Sequence, residues 1–112
     1  MKVPNARAAL IEREKITEYL LNPAHPDNGG KAPFFQSLGF SREDWPILAA
    51  AFRKLAETTE VNKRLESPYG QKYVLDGRIE SPSGRTPVVR SIWIVDRVSD
   101  TPRLVTAYPH ED

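Results

Sequence analysis

Between Glu12 and Thr59 the apolar residues recur at helical spacing, whereas from Val61 onward they alternate or run in short blocks between turn residues. The stretch "EREKITEYLL" carries Ile16, Tyr19 and Leu20 at i, i+3 and i+4, which predicts a short helix burying those three side chains. "NPAHPDNGG" ends it through Pro23, Pro26 and a glycine pair. "KAPFFQSLGF" predicts a second short helix or helical turn, closed by Gly39. The strongest helical pattern is "SREDWPILAAAFRKLAETTE", in which Trp45, Leu48, Ala49, Phe52 and Leu55 or Ala56 form one apolar stripe. Ser41 and Asp44 fit an S-x-x-D start signal, but the ring of Pro46 would oppose a carbonyl if the regular helix began at once. The pattern therefore places its start near Asp44, after a preliminary turn capped by Ser41.

The second half reads as four strands. "EVNKRLES" leads through "PYG" to "QKYVLDGRIES", then through "PSG" to "RTPVVRSIWIVDR", then through "VSDTP" to "RLVTAYPH". Short connections imply an antiparallel meander, and the near-continuous apolar run "VVRSIWIV" suits a strand buried on both faces. Helices followed by a sheet is the α+β order. The expected architecture is one domain over residues 1–112, with helices over about 12–58 packed on one face of a four-stranded antiparallel meander over about 60–109.

Strand register singles out a polar cluster. A symmetric "DRVSDTP" connection pairs Val95 with Arg103, Ile94 with Leu104, Ile92 with Thr106 and Arg90 with Tyr108. Because side chains alternate between faces, Ile94, Leu104 and Ile92 then share a face with Arg90, Thr106 and Tyr108. The same count through "SPSGR" sets Gly77 beside Arg90, leaving open space there. Arg90 can hold a phosphate or carboxylate bidentately, Thr106 can hydrogen-bond a phosphate oxygen, and Tyr108 can donate a proton or stack on a base. The plainer reading pairs Arg90 with a carboxylate such as Asp76 and makes Tyr108 a cap on the core.

"HPDNGGKA" holds one of the two histidines of the chain, His25, and a lysine, Lys31. Histidine titrates near neutrality, lysine offers a compact charge, and Gly29 and Gly30 before a helix expose backbone N–H groups. As local chemistry the stretch is equally an ordinary helix–helix connector. His110, close to the end of the chain, reads as a solvated residue.

Composition narrows the classes. Sixteen basic and fifteen acidic residues leave a net charge of +1, and both halves are near neutral, so a duplex-coating protein is disfavoured while a local cationic pocket is not. With no cysteine, disulfides and thiolate metal sites are excluded. Two distant histidines and scattered carboxylates predict no metal, and no phosphate loop or dinucleotide fingerprint predicts a cofactor. No apolar run is long enough for a signal peptide or membrane span, so a cytoplasmic location is expected.

The order "KITEYLLNPAHPDNGGKAPFFQSLGF", "YGQKYVLDG", "VVRSIWIV", "PRLVTAYP" resembles a small uncharacterised bacterial domain family with L-N-P-x-H-P, K-A-x-x-F and P-R-L-x-T-x-Y motifs. That family in turn looks like the nuclease domains of the barnase–EndoU–colicin–RelE superfamily, found in polymorphic toxins and some phage head proteins. The resemblance spans about Lys15 to Pro109 and implies a barnase/RelE-like fold. It also implies metal-independent, cofactor-free RNA cleavage by attack of the ribose 2′-hydroxyl on the adjacent phosphate. Carried over by position, His25 becomes the general base or acid, Lys31 and Arg90 stabilise the phosphate, Thr106 positions it, and Tyr108 is the second proton-transfer or stacking group. RNA and an inhibitor or immunity protein are the implied partners. The alternative is a non-catalytic RNA- or protein-binding module that kept the fold.

Overall fold

The computed structural model describes residues 1–110; the last two residues of the expected 1–112 unit lie outside the described residues. A 3₁₀ turn at Ala6–Ala8 precedes a short helix at Lys15–Leu20, followed by α1 (Lys31–Ser37) and α2 (Trp45–Thr58). Four strands complete the order: β1 (Lys63–Ser67), β2 (Gly70–Arg78), β3 (Val88–Asp96) and β4 (Pro102–Pro109). They pair antiparallel in the sequence order β1-β2-β3-β4, which is the expected α+β meander.

Helix α2 forms as its stripe dictates, burying Leu48, Ala49, Phe52, Leu55 and Ala56 while Trp45 stays half-buried at its first position. Ser41 Oγ accepts the Asp44 N–H at 3.2 Å, making the preliminary turn. Pro46 falls in the first helical turn, where a missing N–H leaves no bond unmade.

The helix at Lys15–Leu20 differs from the expected α-helix. It is π-helical: the Leu21 N–H reaches back five residues to the Ile16 carbonyl at 2.9 Å. A π turn advances roughly 80° per residue instead of roughly 100°. Ile16, Leu20 and Leu21 consequently share the buried side, and Tyr19 swings off it to lie half-buried. The i, i+3, i+4 stripe expected from the sequence is thereby broken at its middle member.

The core lies between the helices and one face of the sheet. Trp93, Val89, Leu75, Leu104 and Ala107 meet Phe35, Phe52, Leu48 and Ile16 there. On the other face Val74 and Ile94 are buried only by their neighbours, and Arg90 and Ile92 are half-buried. β3 is therefore not covered equally on both sides as its composition suggests.

Two register expectations shift by one residue. Arg90 pairs with Asp76, and Gly77 pairs with Val89. Gly77 serves the helix side instead: an added Cβ would stand 2.9 Å from Thr59 Oγ1 and 3.1 Å from Leu55 Cδ2, so its lack of a side chain lets the end of α2 approach. Near the β3–β4 turn, Ile94 faces Arg103 and Trp93 faces Leu104. A bulge at Val105 then restores Ile92 opposite Thr106 and Arg90 opposite Tyr108. Leu104 thus belongs to the core face, and Arg90, Thr106 and Tyr108 share the opposite one.

Candidate active site

The segment from Asn22 to Lys31 folds back along the outer edge of β4, and one buried side chain fixes it there. Asn28 is 3% exposed and fully engaged. Its amide donates to the Tyr19 carbonyl at 2.6 Å and its Oδ1 accepts the Ala32 N–H at 2.8 Å. One residue therefore ties the end of the π-helical turn to the start of α1. Gly29 and Gly30, at φ +61° and +88°, provide the left-handed backbone the reversal needs.

This fold-back brings the two halves of the sequence together at a cleft of about 580 Å³ whose walls include Tyr19, His25 and Thr106. The Tyr19 and Thr106 hydroxyls lie 2.8 Å apart, one donating to the other. The His25 ring meets the Tyr19 ring edge-on, with centroids 4.9 Å apart. His25 Nδ1 accepts the Asp27 backbone N–H at 3.0 Å, so the neutral ring carries its proton on Nε2. Carboxylates also line this cleft, from Glu12, Glu14, Glu18 and Asp27, beside Lys15, and Glu18 is paired with Arg42 at 3.3 Å.

Lys31 opens α1 and joins the cleft to the sheet. Its Nζ donates to the Asn28 carbonyl at 3.0 Å and lies 5.6 Å from the Tyr19 ring centre and 6.0 Å from that of Tyr108. Beyond Tyr108, Arg90 binds Asp76 through two hydrogen bonds, Nε to Oδ1 at 2.7 Å and NH2 to Oδ2 at 2.8 Å. That pairing holds the Asp76 carboxyl below its ordinary range and the Arg90 guanidinium above its own, with the Tyr108 phenol adding to the latter. His110 Nε2 sits 3.4 Å from Arg90 NH2 and 3.7 Å from Asp76 Oδ2.

His25, Lys31, Thr106, Tyr108 and Arg90 therefore form one continuous band along β4, linked through Tyr19. Arg90 is engaged by Asp76, as the plainer reading of the sequence has it. His110 is half-buried against this pair, with its N–H bonded to the Val88 carbonyl at 3.1 Å, and is not a solvated residue. Sequence reasoning missed Tyr19, Asn28 and His110 as parts of the site. A tyrosine at i+3 reads as core, and an asparagine before two glycines reads as turn.

No curated protein matches the chain in sequence. Among solved structures, it is similar to a chain of the contact-dependent growth inhibition toxin–immunity protein complex from Klebsiella pneumoniae 342. The TM-score is 0.73 at 18% identity, over 89% of this chain and 98% of that one, a likeness of fold. The model of a domain of unknown function, DUF6883, matches residues 2–111, and the chain belongs to that family.

Proposed function

We propose that the chain is a toxin-type ribonuclease domain that cleaves RNA at the β4 edge, with its charge neutralisation supplied by side chains. The observation that carries this reading is the convergence of the His25–Lys31 segment on the Thr106 and Tyr108 hydroxyls. In the reaction the ribose 2′-oxygen attacks phosphorus while His25 accepts the 2′-hydroxyl proton, and the bond to the 5′-oxygen breaks as the Tyr108 hydroxyl donates its proton to that oxygen. Lys31 offers a donor to the non-bridging oxygens as negative charge builds on them. Arg90 joins it once phosphate competes with Asp76 for its fork, and Thr106 fixes the approach through the hydroxyl pair with Tyr19.

His25 in its resting position presents an N–H at Nε2, which suits phosphate binding. Acting as a base requires its ring to leave the Asp27 N–H, because a neutral imidazole has only one lone-pair nitrogen. The fold likeness to a chain of a toxin–immunity complex supports a toxin-related role with a protein partner of the toxin–immunity kind. A non-catalytic binding module is the second reading, favoured by the bidentate hold of Asp76 on Arg90.

Incubation with total RNA separates the two. Wild type should cleave, with His25→Ala and Arg90→Ala each slower by about tenfold to a hundredfold or more. Cleavage at the same rate by all three proteins, or by none, would overturn catalysis at this site.

A further inference from the structure

The uncovered face of the sheet carries two ordered rows of side chains that cross all four strands. One row is Leu65, Lys72, Ile94 and Arg103; the next is Lys63, Val74, Ile92 and Thr106. The apolar members form a strip down the middle, separate from the main core, with Val74 5% and Ile94 3% exposed beside the 39% exposed Leu65. The charges around the strip divide unequally. Among the described residues, both acids on this face are already matched, Asp76 by Arg90 and Asp96 by Arg103 at 3.0 Å. Lys63 and Lys72 have no carboxylate partner among the described residues. The near-neutral chain therefore conceals a face with surplus positive charge, while the cleft at the β4 edge is bounded by carboxylates.

We infer that this face is a track for single-stranded RNA, which crosses from the β1–β2 side and delivers a phosphodiester to the β4 edge. Lys63 and Lys72 take backbone phosphates, and the exposed Leu65 with the half-buried Ile92 gives the bases apolar surface to rest against. The row containing Lys63 ends at Thr106, so the track runs directly into the band of site residues. Identifying the strand as RNA rests on the ribonuclease reading; its placement rests on the distribution of charge over the sheet.

The test uses a fluorescein-labelled 2′-O-methyl RNA twelve-mer, which has no free 2′-hydroxyl and cannot be cleaved by this chemistry. Binding is followed by anisotropy across a salt series for wild type, the double variant Lys63→Ala/Lys72→Ala, and Lys54→Ala on α2 as a control. The double variant should bind at least about fivefold more weakly, with a salt slope shallower by about one, while Lys54→Ala binds as wild type. Thermal melts of the double variant should match wild type, since neither lysine side chain makes a hydrogen bond or ion pair among the described residues. The track is overturned by unchanged affinity and slope in the double variant, by equal weakening in the control, or by a wild type that binds no strand at low salt. Total-RNA cleavage judges the ribonuclease reading separately, so the two can fail independently.

Discussion

The Asp76–Arg90 pair is half-buried, and it makes the stability of the fold depend on acid. Arg90 first, and His110 and Asn62 to a lesser degree, keep the Asp76 carboxyl below its ordinary value of 3.8 in the folded chain. A carboxyl with a depressed folded pKa stabilises fully above its unfolded value, and that contribution is lost as pH falls through the folded one. Asp76→Asn should therefore destabilise the protein at about pH 7, with the difference from wild type fading toward about pH 2. Urea melts at the two pH values check this, and an undiminished difference in acid would count against the pair as its source. Opposite charge makes Arg90 and Asp76 legible as partners from sequence, although the expected register sets Gly77 rather than Asp76 opposite Arg90. Asn28 is not legible, since its burial comes from the helix that folds over it and leaves no local signal.

At the scale of elements, the sequence patterns predict the helices at Lys15–Leu20, α1 and α2 and the four strands, although the first of these is π-helical and the turn at Ala6–Ala8 has no such signal. The bulge at Val105 has a trace in the sequence: Leu104 and Ala107 are both core residues, three apart, and a regular strand cannot put both on one face. The π register is harder to foresee, because Ile16, Tyr19 and Leu20 satisfy an α-helix equally well until Leu21 also demands burial. Strand pairing depends similarly on Gly70, which opens β2 at φ +151° beside β3. A Cβ there would collide with the Val95 carbonyl, which no rotamer can relieve because both partners are backbone. Gly70→Ala should cost roughly 2 kcal/mol. Chemical denaturation measures it, and a loss of only a few tenths would mean the β1–β2 turn yields easily.

Across the whole molecule, local rules predict how each half folds but not how the halves meet. The candidate site depends on the Asn22–Lys31 segment lying against β4, a contact with almost no sequence signature beyond the chemistry it assembles. The same holds for the beginning of the chain. The Met1 carbonyl accepts the Val61 N–H at 2.7 Å, and Leu10 lies parallel to β4, taking the Leu104 N–H at 3.0 Å and donating to the Pro102 carbonyl at 2.8 Å.

That bridge at Leu10 works as a selvedge, finishing a border of the sheet that would otherwise be ready to take another strand. The residues that finish it lie far before the strand they cover in sequence, so the border stays open until that long-range contact has formed. A chain begun at Ile11 would leave the Leu104 N–H and Pro102 carbonyl without these partners, giving neighbouring molecules a strand to pair with. Light scattering on warming should show that shortened chain self-associating well before the full one, and equal onset temperatures would mean that the first ten residues are dispensable to keeping the molecules apart.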